Sequence, residues 1–352
     1  MRRGLMRRDE SELPQGVLME RIAGLRAVMS RGGLDGFIFY TNLVQPSAVT
    51  YLTGFTPYWS DGLLLVPRSG APVFATALSK RVANWISSTN PVSEIVNTPR
   101  PGDAVGRRLA ADGCRRVGVL ELDRLPGGLY DEIAGAAPAV ELIDGSAGFA
   151  SLRQRIDGAE RRLIAHADAL AVAALAQVDP DRAANAGAVA GLVEMQARLQ
   201  GAEEAYIAAA PNLAAEARMI RVSGALPLAD RFALRASIAY KGSWVRRTRT
   251  FAKHAAGRQA VAHADAWFEK MVHAIAADQS VGAQIAGRIN ELPGATLTGW
   301  MAERSIGSYP LQAVASARAP DRDRIPAGGF MVLTIELILD GLPWLGAAPA
   351  FA

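Results

Sequence analysis

The stretch Tyr240-Lys241-Gly242-Ser243-Trp244-Val245-Arg246-Arg247-Thr248-Arg249-Thr250-Phe251 decides the architecture of this chain. Two runs, 232–240 and 244–252, flank the short turn Lys241-Gly242-Ser243. The second is rich in aromatic and β-branched residues, and the two read as an antiparallel strand pair. Upstream, 160–178 is an amphipathic, alanine-rich helix broken by Asp179-Pro180-Asp181, and 183–199 is a second long helix. Downstream, a third helix spans about 258–277 and a strand spans 331–339. Long helices segregated from antiparallel strands define an α+β domain.

The N-terminal half has another texture. A helix over 18–30 places Ile22, Leu25 and Val28 at helical spacing and stops at Gly32-Gly33. Gly36-Phe37-Ile38-Phe39-Tyr40 reads as a buried strand, 62–66 and 72–75 as a hairpin, and 117–120 and 140–143 as further strands. Thr50-Tyr51-Leu52-Thr53 is a short apolar run, and 81–87 is helical. This alternation predicts an α/β domain around a central sheet, with the boundary near 150–158.

The chain has 352 residues, of which 50% are hydrophobic and 20% charged, which excludes disorder and a disulfide scaffold. Its net charge of +4 is not gathered into a basic run, so no nucleic-acid partner is expected. Four lysines stand against 34 arginines, so the cations present are mostly planar forks that suit carboxylate or phosphate. A single cysteine, Cys114, excludes an internal disulfide and fits a reducing cytoplasm. The basic N-terminus, Met1 to Arg8, is followed by Asp9, Glu10 and Glu12 rather than an apolar run, so no signal peptide is expected. The uncharged stretch 36–60 contains Asn42, Gln45, Pro46, Gly54 and Pro57, which argue against a membrane span.

The strand pair resembles that of the creatinase/aminopeptidase P/prolidase family, the pita-bread proteins. That family writes Tyr-x-Gly-Tyr-x-x-Asp-x-Thr-Arg-Thr-Phe here, and Tyr240, Gly242 and Thr248-Arg249-Thr250-Phe251 match. Tyr51-Leu52-Thr53-Gly54-Phe55 is similar to its N-domain signature, and Leu152-Arg153-Gln154-Arg155-Ile156-Asp157-Gly158-Ala159-Glu160 to the start of its second domain. Ser223-Gly224 resembles the turn before its substrate-side strands. Gly329-Phe330-Met331-Val332-Leu333-Thr334-Ile335-Glu336 resembles the strand that carries a metal-binding Glu. The resemblance implies a creatinase-like N-terminal α/β domain over 1–155 and an α+β pita-bread domain over 156–352, short at its C-terminus, in a homodimer.

Metallopeptidases of this family hold two metal ions with two Asp, one His and two Glu. Counting back from the Thr-Arg-Thr-Phe match, the Asp positions fall on Arg235 and Arg246; the His position, in a Gly-His-Gly-Ile-Gly-like motif, best matches Arg304 in Glu303-Arg304-Ser305-Ile306-Gly307, and Glu336 matches the first Glu. Arginine has no lone pair to offer a metal. The expectation is therefore a site without metal or other cofactor. Creatinase, in the same family, hydrolyses a C–N bond without metal, using a His as acid/base. None of the four histidines here, His166, His254, His263 and His273, falls at that position.

Two readings of the arginines stand at this point. They pair with Glu336 and fill the former metal site, or they leave about two unmatched cations that bind a small carboxylate or phosphate. The second gives a metal-independent, repurposed enzyme for C–N hydrolysis or elimination. Its catalytic candidates are Glu336, Tyr240 and Tyr309. Its substrate-binding candidates are Arg235, Arg246, Arg304, Trp244 and Trp59, the last beside Tyr58 in an N-domain loop that the resemblance aims at a neighbouring subunit. The alternative is a catalytically inactive pseudoenzyme that acts as a binding or scaffolding subunit.

Overall fold

The structure, a computed structural model, describes residues 8–57, 60–320 and 322–352. It divides into two compact units: the chain up to Gln154 together with Ser305–Gln312, and Arg155–Arg304 together with Ala313–Ala352.

The N-terminal unit runs α1 (Gln15–Gly32), β1 (Gly36–Thr41), α2 (Ser47–Thr53), β2 (Gly62–Pro67), β3 (Val73–Thr76), α3 (Ala83–Thr89), β4 (Glu94–Asn97), α4 (Pro101–Ala111), β5 (Arg116–Val119), α5 (Gly127–Ala136), β6 (Glu141–Asp144) and α6 (Ser146–Leu152). The apolar run at Thr50 to Thr53 is the end of helix α2. Leu18, Ile22, Leu25 and Met29 bury one stripe of α1. Gly33, at φ +63°, ends that helix by turning its N–H back onto the carbonyls of Met29 and Ser30. The six-stranded sheet has the order β4-β3-β2-β1-β5-β6. The β1–β2 and β2–β3 pairs are antiparallel, and the other three are parallel. Ile38, Leu63, Leu65, Val105, Leu109, Val117 and Ile133 fill the core between this sheet and helices α4 and α5. The same unit includes Ser308, whose hydroxyl bonds the Glu121 carboxylate and whose carbonyl accepts the Ser47 N–H at 3.0 Å.

The second unit runs α7 (Gly158–Leu175), α8 (Ala186–Leu199), β7 (Glu204–Ala210), β8 (Arg231–Tyr240), β9 (Ser243–Ala252), α9 (Ala255–His273), α10 (Val281–Arg288), β10 (Ala295–Arg304), β11 (Gln312–Ser316), β12 (Phe330–Leu339) and β13 (Leu342–Phe351). Asp157, Asn185 and Ser280 cap α7, α8 and α10 by accepting backbone N–H groups. The sheet order is β11-β10-β12-β13-β9-β8-β7. Two hairpins carry it. Lys241 and Gly242, at φ +46° and +77°, make the two-residue turn between β8 and β9. Asp340 and Gly341, at +53° and +76°, do the same between β12 and β13. The expected strand over 331–339 is thus followed by a second one that pairs with it. Among the described residues, no helix is long and apolar enough to cross a membrane.

Alternate residues of each strand face opposite sides of this sheet. One side packs on α7 and α9. There Val261, Trp267, Phe268, Met271 and Val272 meet Trp300, Leu333, Ile335, Leu337, Trp344 and Ala348 in one buried cluster. The other side carries the candidate site.

Candidate functional site

Strand register places the site residues. Arg235 pairs across from Thr248, and Ser237 from Arg246. Thr248 pairs with Ala347, and Ala347 with Thr334. Glu336 lies opposite Gly299, and Glu303 opposite Val332. Directly opposed residues of antiparallel strands share a face. Arg235, Arg246, Thr248, Glu303, Thr334 and Glu336 therefore all lie on the side away from α7 and α9. Trp244 shares it and stacks on Tyr206 at 5.7 Å between ring centroids.

The centre of the site is an ion pair. Both carboxylate oxygens of Glu303 accept from Arg246 Nη1. The Glu303 side chain is 7% exposed and that of Arg246 19%, so the pair is largely withdrawn from water. Arg246 Nε also donates to the Ser237 hydroxyl at 3.2 Å, and Arg235 Nε to Thr248 Oγ1 at 3.4 Å. Burial, and then the neighbouring Arg246 charge, lower the pKa of Arg235, while Glu303 and Glu336 act the other way. The local tally is two guanidiniums against two carboxylates, Arg235 and Arg246 against Glu303 and Glu336. The buried Thr334 hydroxyl on the same face has no hydrogen-bond partner among the described residues.

Several expectations change. Glu303, not Glu336, is the partner of Arg246. Arg304, the next residue along β10, points to the opposite face because strand side chains alternate. Its Nη2 donates to the Arg324 carbonyl at 3.1 Å, and burial lowers its pKa. Tyr240 is also on the helix-covered face, with its ring 4.2 Å from that of His166 on α7. Tyr309 belongs to the N-terminal unit, where the Arg124 guanidinium lies 4.8 Å from its ring centroid. Tyr58 and Trp59 lie outside the described residues. The cluster of three arginines and one carboxylate is thus a balanced set of two and two. Sequence reasoning missed Glu303 although it adjoins the residue it did select, because a shift of one position inverts the face.

The residues present do not fit a dinuclear metal centre. Guanidinium groups offer no lone pair, and the Glu303 carboxylate is engaged by one of them. Among the described residues, no group of three or more His, Cys, Asp or Glu side chains is arranged to hold a metal ion.

An α/β unit followed by a seven-stranded sheet backed by long helices, with its polar cluster on the side away from them, defines the pita-bread class. Residues 21–155 match the Creatinase/Prolidase N-terminal domain. The chain superposes on the Xaa-Pro dipeptidase from Bacillus anthracis with a TM-score of 0.68 at 18% identity, covering 95% of both chains. It superposes on the X-Pro aminopeptidase from Thermotoga maritima with a TM-score of 0.69 at 14% identity, covering 92% of this chain and 94% of that one. The N-terminal domain of the FACT complex subunit SPT16 from Cicer arietinum gives a TM-score of 0.63 at 12% identity, over 95% and 93%. A sequence search of curated proteins gives no match. Residues 21–155 thus form a creatinase/prolidase-type N-terminal domain, and the chain has the pita-bread fold of the prolidases.

Proposed function

We propose that this protein is catalytically silent as a peptidase and works as a binding subunit built on the prolidase fold. The observation that carries the reading is the Arg246–Glu303 pair, seated in the middle of the face where the family resemblance expects metal ligands. The charges there cancel in place, so the cluster calls for neither a divalent cation nor an anionic substrate. The hydrolytic candidates Tyr240 and Tyr309 have other neighbours, which weakens a general acid/base assignment. One structural relative, SPT16, is a subunit of the FACT complex.

The test is the purified protein with Mn²⁺, Co²⁺ or Zn²⁺, assayed by melting temperature and by cleavage of X-Pro dipeptides. The reading expects no metal-dependent rise in melting temperature and no cleavage. Metal-dependent cleavage overturns it.

A metal-independent enzyme acting on a small carboxylate or phosphate is a second reading. The unpartnered Thr334 hydroxyl beside the exposed Glu336 favours it. A rise in melting temperature with one such anion, lost in Arg235→Ala, would replace the first reading by the second.

A further inference from the structure

The helix-covered face of the second unit holds a cavity of about 210 Å³, beside the same stretch of β9 as the Arg246 cluster but on the other side of the sheet. Its walls are apolar: Val172 and Leu175 of α7, Phe268 of α9 and Trp344 of β13. Its polar groups are Arg247, Arg249, Asp265 and Glu269.

These polar groups are unequally matched. Arg247 holds the Asp168 carboxylate through Nε and Nη2 at 2.6 and 2.8 Å, and its Nη1 bonds Glu269. Asp265 is left with weaker partners. Trp344 Nε1 donates to its Oδ1 at 3.0 Å, but the nearest guanidinium nitrogen, Arg249 Nε, stands 3.6 Å from Oδ2. That distance is too long for a hydrogen bond. Arg249 is also 46% exposed, so water screens it. Arg247 is thus committed to Asp168 and Glu269, which leaves Asp265, beside the aromatic and aliphatic walls, with the half-exposed Arg249 as its counter-charge.

We propose that this cavity is a binding site for a small primary amine with an apolar body, the ammonium held by Asp265 and the body packed on Phe268, Trp344 and Leu175. An ammonium supplies the missing charge-assisted bond to Oδ2. The volume lies below the roughly 300–1,000 Å³ of drug-sized sites, so the ligand is a small one.

The groups facing Asp265 also fix how such binding responds to pH. Burial is the main cause that pushes its carboxyl up to about 6, Glu269 adds to the rise, and Trp344 and Arg249 oppose it. An ammonium ligand needs the ionised carboxylate, so affinity falls as pH drops through about 6.

The test titrates the full chain at pH 7.5 with 2-phenylethylamine and cyclohexylmethylamine, read by calorimetry and tryptophan fluorescence. Saturable binding is expected, with 2-phenylethanol, the neutral analogue, weaker by about tenfold or more. Asp265→Asn should lose a similar factor while keeping the acceptor for Trp344. Arg249→Gln should tighten binding, because it removes a competing cation. Failure of both amines to bind saturably overturns the proposal. So does equal binding of the amine and the alcohol to the wild-type chain, a comparison that needs no variant to fold.

Discussion

Arg246 and Glu303 form the interaction on which the character of the site turns. Taking two charges out of water is costly, and their mutual attraction offsets that cost only while both are present. Glu303→Ala would leave a guanidinium in a mostly buried position beside Arg235. Stability should fall by about 3–5 kcal/mol, measured by denaturant unfolding. The double replacement Arg246→Met with Glu303→Met removes both charges at similar volume and should recover most of that loss. A double variant as unstable as the single one would show that the pair does not act as a unit. Asp265 offers a contrasting case. Its folded carboxyl titrates at about 6 against 3.8 for a free aspartate, because burial disfavours the charge. The stabilisation from this group is fully present below pH 3.8 and is lost as pH rises through about 6. Above that, the ionised form costs on the order of 2–3 kcal/mol. Asp265→Asn should therefore raise the melting temperature at pH 8 and leave it nearly unchanged at pH 4. An equal effect at both values would contradict the assignment.

At the scale of elements, the sequence was most legible where local chemistry dictates the backbone. Lys241-Gly242 marks a two-residue hairpin turn, and the alternating runs around it give both strands. The helices over 160–175 and 186–199 follow from caps and periodic apolar residues. The edge strand β7 escaped notice, because Glu204-Ala205-Tyr206-Ile207-Ala208-Ala209-Ala210 is dominated by alanine, a poor strand former. The run 50–53 has β-branched and aromatic residues, yet tertiary context makes it part of a helix that begins after Pro46. The site was half legible. Counting without gaps along β8 and β9 correctly put Arg235 and Arg246 together, since a hairpin fixes register over short distances. Glu303 comes from β10, 57 residues beyond Arg246, and reaches it across two intervening strands. No local pattern specifies whether Glu303 or Arg304 faces inward. A bulge between Leu297 and Gly299 shifts the pairing of β10 with β12, so alternation counted from the strand start gives the wrong side.

At the scale of the whole molecule, chain order and compact units do not coincide. Ser305–Gln312 follows β10 in sequence but belongs with the N-terminal unit. It is tied there by polar contacts: Ser308 to Glu121, the Ser308 carbonyl to the Ser47 N–H, and Gln312 Nε2 to Glu121 at 3.4 Å. The Glu121 backbone sits at φ +52°, a conformation uncommon for a residue with a side chain. Contacts to its carboxylate help hold it there. A fragment of residues 1–154 lacks those contacts, whereas the same fragment joined through a flexible Gly/Ser linker to 305–312 regains them at high effective concentration. Two or three hydrogen bonds contribute about 1 kcal/mol each, less the cost of ordering the segment. The linked form should therefore melt about 2–8 °C above the bare fragment. Glu121→Ala should abolish most of the difference, because it removes both side-chain contacts at once. If the two fragments melt together, the eight-residue segment is a passenger and the N-terminal unit is complete without it.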